Sequence, residues 1–80
     1  MMKATRYELW DHDSGNLSGS YRSEAAALAD IVHYVEQHSD DAAATLGLLE
    51  RAPGGGGRLI AEGGALVVRA RTVSYQLSLT

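Results

Sequence analysis

Hydrophobic and polar residues alternate in two short runs near the start of the chain. The first run covers residues 3–11 and the second covers residues 17–22. Side chains of a β-strand point to opposite faces in turn, so each run predicts a strand with one buried face. The segment Asp13-Ser14-Gly15-Asn16 between them is typical of a tight turn. The pattern therefore predicts an antiparallel hairpin.

The apolar faces of the two runs also predict how they pair. Directly opposed residues of an antiparallel pair share a face. A three-residue loop that ends at Gly15 would place Tyr7 opposite Tyr21. The same register would place Asp11 opposite Leu17 and unite the apolar side chains, whereas a two-residue turn would separate them. We therefore predict the three-residue loop, with Gly15 at positive φ as the bulge residue.

The segment after the hairpin has helical spacing. Residues 24–38 contain neither Gly nor Pro, and Ser23 is suited to cap the N-terminus of a helix. Glu24 in the first turn favours the same helix through its dipole. We predict a helix over 24–38 and a further short turn after Ser39. Its apolar stripe consists of Ala25, Leu28, Ile31, Val32 and Val35.

A second pair of strands is predicted after the helix. Residues 44–51 and 58–62 are short apolar runs, and the loop between them contains four consecutive glycines. Residues 65–71 combine helix-favouring Ala, Leu and Arg with two strand-favouring valines, so helix and strand both stay open there. The complete pattern predicts an α+β fold of ββαββ(α) order, with an antiparallel sheet packed on one main helix.

The C-terminal segment alternates once more. Val73, Tyr75, Leu77 and Leu79 are separated by polar residues, which predicts a strand. Such a strand could lie at a sheet edge, exchange with a partner, or belong to something longer. We therefore divide the chain into a single domain over residues 1–72 and a strand-like tail over residues 73–80.

Composition narrows the class of protein. The chain has 80 residues and no cysteine, which excludes disulfides and thiolate zinc sites. A chain this small buries only roughly 60% of its unfolded surface, so its stability is marginal. No apolar run approaches the about 18 residues of a membrane span, and the N-terminus lacks a secretory pattern. We expect a cytoplasmic protein without a membrane partner.

The net charge of −3 is distributed unevenly. Residues 1–50 carry three basic and nine acidic side chains, whereas residues 51–80 carry four basic and one acidic. An acidic chain binds phosphate backbones poorly, because such binding depends on clustered Lys and Arg. The predicted helix contains neither, which argues against nucleic acid as a partner. The alternative is a small nucleic-acid-associated or antitoxin-like domain that uses Arg6, Arg58, Arg69 and Arg71.

Several short segments resemble a family of small uncharacterised bacterial proteins, of a type met in Chloroflexi-like and actinobacteria-like genomes. The resemblance covers residues 5–71 and implies a helix at the segment that matches 64–71, but it implies no activity. A second resemblance, to HicB-like antitoxins, rests on Ser23-Glu24-Ala25 alone. The segments that carry the first resemblance are Tyr7-Glu8-Leu9-Trp10-Asp11, Ser14-Gly15-Asn16, Tyr21-Arg22-Ser23-Glu24-Ala25 with Ala27-Leu28-Ala29, and Leu59-Ile60-Ala61-Glu62-Gly63.

Polar clusters suggest no catalytic, cofactor or metal site. The segment 11–16 is rich in polar side chains, but it lacks the ligands of a calcium-binding EF-hand at its fifth and twelfth positions. His33 and His38 are roughly 140° apart around a helix and cannot share a metal. The glycine run lacks the Lys of a phosphate-binding P-loop. Gly63-Gly64 near two arginines is an alternative anion site, with a plain turn as its rival.

These observations favour a non-enzymatic module that binds a protein or forms a homodimer. Trp10 falls on the outward face of the first strand, where an aromatic side chain is typical of an interface unless another segment covers it. Exposed strand edges also recruit further strands. The candidate interface residues are Trp10, Tyr34, Val73, Tyr75, Leu77 and Leu79.

Overall fold

The computed structural model describes residues 4–78 of the chain, and the side chains up to residue 76. It confirms the α+β prediction, with ββαββα order. The strands are β1 (Arg6–Asp11), β2 (Asn16–Tyr21), β3 (Leu46–Arg51) and β4 (Gly57–Glu62), the helices are α1 (Glu24–Gln37) and α2 (Gly63–Ser78), and a 3₁₀ turn covers Asp40–Ala43.

The four strands form one antiparallel sheet in the order β2-β1-β3-β4. Both helices lie on the same face of this sheet and contact each other. α1 lies over β1 and β2, and α2 lies over β3 and β4. The fold therefore has two layers, and the described residues leave the second face of the sheet without a helix.

The core lies between the sheet and the two helices. Leu9 and Leu48 are directly opposed on β1 and β3, and both point toward the helices. Leu28 and Ile31 of α1 and Leu66 of α2 close the core from the helical side. These side chains are almost fully buried, which provides most of the hydrophobic stabilisation of a chain this small.

Helix α1 confirms the prediction from periodicity and capping. The Oγ atom of Ser23 accepts a hydrogen bond from the backbone N–H of Ala26 at 3.1 Å. This bond satisfies one of the first N–H groups, which have no partner inside the helix. The helix ends at Gln37, and the N–H of His38 still donates to the carbonyl oxygen of Tyr34.

The predicted hairpin register is confirmed at the open end of the hairpin and wrong at its turn. Tyr7 pairs with Tyr21, as predicted. Asp11 pairs with Asn16, whereas the prediction placed it opposite Leu17. The loop therefore contains four residues, where three were predicted.

The bulge of this hairpin lies at Ser18 and not at Gly15, because Ser18 has no opposite residue on β1. The longer turn is stabilised locally. The carboxylate of Asp11 accepts the N–H of Asp13 at 3.0 Å, and its carbonyl oxygen accepts the N–H of Gly15 at 2.7 Å. The unpaired Ser18 shifts the pairing by one residue, so Leu17 lies on the face of Trp10 and not on the predicted face of Leu9.

Gly15 has a φ of 74°, which confirms the left-handed conformation predicted for it. We expect Gly15→Val to lower the free energy of unfolding by roughly 1–2 kcal/mol or more, because a β-branched residue is strained at positive φ. Urea denaturation measures this effect. Gly54→Val is the matched control, since a Cβ at either position meets open space but Gly54 lies outside the left-handed region. Equal effects of the two substitutions would contradict the argument.

The predicted strand over 73–79 is wrong, because α2 continues as a helix to Ser78. The helix crosses the boundary expected between residues 72 and 73. Val73 falls on the same helical stripe as Leu66 and Ala70 and packs against the core. A helix that has already formed gains one hydrogen bond for each added residue, which outweighs the local strand pattern. Leu79 lies outside the described residues.

Candidate functional site

The face of the sheet opposite the two helices is left uncovered by the helices of the described residues. We call it the outer face. The strand registers assign side chains to it, because Leu9 and Leu48 define the helix-covered face and their neighbours point the other way. The outer face carries Arg6, Glu8, Trp10, Leu17, Ser20, Leu49, Arg51, Leu59 and Glu62.

An apolar band crosses the outer face over all four strands. Trp10 is directly opposite Leu17 on one side and Gly47 on the other, and Leu49 is opposite Leu59. Leu17 and Leu59 are each 48% exposed, and Trp10 and Leu49 are half-buried. Leu59 also reaches toward the position opposite Trp10, because a Cβ at Gly47 would lie 3.5 Å from its Cδ1 atom. Apolar side chains that share one face of neighbouring strands are typical of an interaction site, whereas scattered apolar residues are ordinary.

A hydrogen-bonded cluster lies beside this band. The Oε1 atom of Glu8 accepts from the indole Nε1 of Trp10 at 3.0 Å. The same oxygen accepts from the Nε and Nη2 atoms of Arg51 at 3.3 and 2.9 Å. The bonds from Arg51, and then the one from Trp10, lower the pKa of the Glu8 carboxyl. The cluster therefore holds the indole ring in one orientation at neutral pH.

The guanidinium of Arg51 also joins the outer face to the glycine loop. Its Nη1 atom donates to the carbonyl oxygen of Gly55 at 3.1 Å. A Cβ at Gly57 would lie 3.0 Å from the same nitrogen, so Arg51 lies directly over that glycine. Next to it, Arg6 donates to the hydroxyl of Ser20 at 3.0 and 3.2 Å. The polar side of the outer face is thus ordered by side-chain hydrogen bonds.

The structure does not bring the predicted interface residues together on one surface. Trp10 lies on the outer face, and within the described residues no helix covers it. Tyr34 lies on the helical side of the sheet, where the centroid of its ring is 4.6 Å from the centroid of the His38 ring. Val73 is half-buried against the core, and Tyr75 of α2 is 66% exposed. The side chain of Leu77 and the whole of Leu79 lie outside the described residues.

Sequence reasoning missed three members of the apolar band. Leu17 was assigned to the other face, because the bulge at Ser18 could not be foreseen. The adjacent pair Leu48-Leu49 carried a usable signal, since neighbouring residues of a strand point to opposite faces. Leu59 would have followed from Leu49 once their pairing was known.

The four arginines considered for nucleic acid do not form a patch. Three of them form ion pairs with carboxylates, at N–O distances of 3.3, 2.9 and 2.7 Å, and Arg6 lies separately on the outer face. The pairs are Arg58–Glu50, Arg69–Glu24 and Arg71–Asp40. Arg69 and Arg71, the two arginines considered for an anion site at Gly63-Gly64, are therefore both paired with carboxylates.

Neither the remaining features of the described residues nor comparisons with known proteins identify a ligand or a reaction for this chain. Across residues 4–78, no three His, Asp or Glu side chains are grouped so that they could hold a metal ion. In the same part of the chain, neither helix combines the length and the apolar character needed to cross a membrane. Comparisons of the chain with protein-family models, with curated proteins and with solved structures give no match.

Proposed function

We propose that this protein is a non-enzymatic interaction module that forms a homodimer through the outer face of its sheet. The observation that carries the proposal is the apolar band of Leu17, Trp10, Leu49 and Leu59, which crosses a face that the described helices leave uncovered. Burial of such a band removes apolar area from water and favours association. The indole of Trp10, held by Glu8, supplies the kind of ordered aromatic anchor that dominates interface energetics.

Charge balance supports a second copy of the chain as the occupant. The whole chain has a net charge of −3, but the outer face has two acidic and two basic side chains. Glu8 and Arg51 neutralise each other within one chain. Arg6 and Glu62 lie at opposite ends of the strands, exposed, and neither forms an ion pair within the described residues. A two-fold interface repeats every contact, so Arg6 of each copy could meet Glu62 of the other.

The size of the face predicts a weak dimer. Four strands about 4.8 Å apart, each of six residues that rise about 3.3 Å, span a face of roughly 20 by 20 Å. Two such faces together would bury roughly 800 Å², which is below the about 1,200 Å² of stable specific interfaces and in the range of weak association. We therefore expect a dimer with a Kd in the micromolar range, which dilution dissociates.

Sedimentation velocity over a concentration series tests this proposal. We expect the unmodified protein to change from monomer to dimer between about 1 and 500 μM, and Leu59→Ser to weaken the dimer at least tenfold because both copies lose the contact. Val68→Ser is the matched control, since Val68 is a 66% exposed aliphatic residue on α2, away from the outer face. A protein that stays monomeric at 500 μM, or a dimer equally weakened by Val68→Ser, would overturn the proposal.

A further inference from the structure

A cleft opens on the helical side of the sheet, between α1 and the β1–β2 hairpin. Its volume is about 270 Å³. Pockets that bind small molecules usually have volumes of about 300 Å³ or more, so this cleft is slightly smaller than a typical one. Leu9, Ile31 and Leu46 form an apolar floor that belongs to the core. The cleft lies on the opposite side of the sheet from the outer face, so it does not depend on self-association.

One wall of the cleft is held in place by Tyr21. A Cβ at Gly19 would lie only 2.6 Å from the Oη atom of Tyr21, so the ring lies across the space that a side chain at Gly19 would take. From there the hydroxyl donates to the Oδ2 atom of Asp30 on α1 at 2.5 Å. Burial, and then the bond to Asp30, raise the pKa of Tyr21 to about 12. The tyrosine therefore stays protonated and links β2 to α1 at physiological pH.

The charge of the cleft is negative. Asp11 and Asp30 both line it together with the imidazole of His33, which is hydrogen-bonded to Gln37, and no Lys or Arg is among the described residues that do. The backbone N–H of Asp13 holds the pKa of Asp11 below its ordinary value, so that carboxylate is ionised at neutral pH. Helix α1, which provides one side, contains no Lys or Arg to offset these charges.

Two tyrosine rings form part of the walls. Tyr21 lines the cleft from β2, and Tyr34, 40% exposed, lines it from α1. The faces of such rings attract cations. An apolar floor, aromatic walls and two carboxylates together match a molecule with an apolar body and a positive charge. The volume restricts that molecule to a small one.

We propose that this cleft binds a small organic ammonium ion, a primary amine on a short apolar body. The ammonium group donates hydrogen bonds to the carboxylates of Asp11 and Asp30. The apolar body lies on Leu9, Ile31 and Leu46 and between the two tyrosine rings. A neutral molecule of the same shape binds more weakly because it forms no ion pair with the carboxylates. An anionic molecule binds more weakly because the carboxylates repel it.

Amide-resolved NMR titration with 2-phenylethylammonium tests the proposal. A ligand of about nine non-hydrogen atoms with ordinary efficiency binds with a Kd in the millimolar range. We expect saturable shifts at the amides of Ser18, Tyr21 and Tyr34, at a Kd of about 1–10 mM. 2-Phenylethanol and 3-phenylpropanoate, which keep the apolar body and change the charge, are expected to bind at least tenfold more weakly.

Two variants separate the cleft from surface charge in general. Asp11→Asn keeps the oxygen that accepts the Asp13 N–H but removes the charge, and we expect it to raise the Kd for 2-phenylethylammonium roughly three- to tenfold. Asp13→Asn removes an exposed charge two residues away that does not line the cleft, and we expect it to leave the Kd within twofold. Absence of saturable shifts, equal binding of the alcohol, or equal effects of the two variants would overturn the proposal.

Discussion

Replacing Leu48 by alanine is expected to lower the free energy of unfolding by about 2–5 kcal/mol, the largest loss that we predict for a single side chain of this protein. Leu48 lies at the middle of β3, opposite Leu9 on β1, and none of its surface is exposed. The substitution removes buried apolar atoms and leaves a cavity that the two-layer packing cannot close completely. Since stability is marginal in a chain this small, much of the protein is expected to unfold. Urea denaturation followed by circular dichroism measures the loss.

The control for this prediction is Leu59→Ala on the neighbouring strand. Leu59 is the same residue type in the same kind of element, but it is 48% exposed on the outer face. At a concentration below the Kd of the proposed dimer, we expect it to cost less than about 1 kcal/mol. If both alanine variants lost the same stability, the assignment of the helix-covered and outer faces would be wrong.

Replacing Gly63 by alanine is expected to lower the free energy of unfolding by about 1–2 kcal/mol or more. Gly63 has a φ of 56° at the point where β4 passes directly into α2. The added Cβ would also lie 3.4 Å from the carbonyl oxygen of Ala44, which is a tight contact with backbone. Backbone strain and crowding therefore act together, and the midpoint of thermal unfolding measures the result.

Gly64→Ala is the matched control for Gly63→Ala. Gly64 is the next residue of the same helix, a Cβ there meets open space, and its φ lies outside the left-handed region. Alanine in place of glycine in a helix stabilises by about 0.5–1 kcal/mol, so we expect this variant to be more stable than the unmodified protein. The opposite signs of the two changes are the test. A stabilising Gly63→Ala would contradict the left-handed conformation of Gly63 at the junction of β4 and α2.

The candidate sites were predictable only in part. Alternation alone placed Trp10 on the outward face of β1, because the direction of a strand side chain depends on its position in the strand. The apolar band around Trp10 depends on which strands are neighbours. β1 lies between β2 and β3 because it pairs with β3, which is distant in sequence, and no local pattern predicts that pairing. The cleft depends on side-chain contacts between different elements, which hydrophobic periodicity does not predict. Tyr21 reaches Asp30 because Gly19 leaves space for its ring, and no periodicity of the sequence reports that space.

The sequence by itself determined the elements whose signals are local. Period-two alternation predicted β1 and β2, and helical spacing with the Ser23 cap predicted α1. The positive φ of Gly15 was also predicted, although from a three-residue loop where the structure has four residues. The tertiary structure decided the rest. α2 extends through the strand-like pattern after residue 72, because Val73 packs against a core that other elements build. The bulge at Ser18 moves Leu17 to the outer face, because hydrogen bonds in the turn and pairing with β1 outweigh simple alternation.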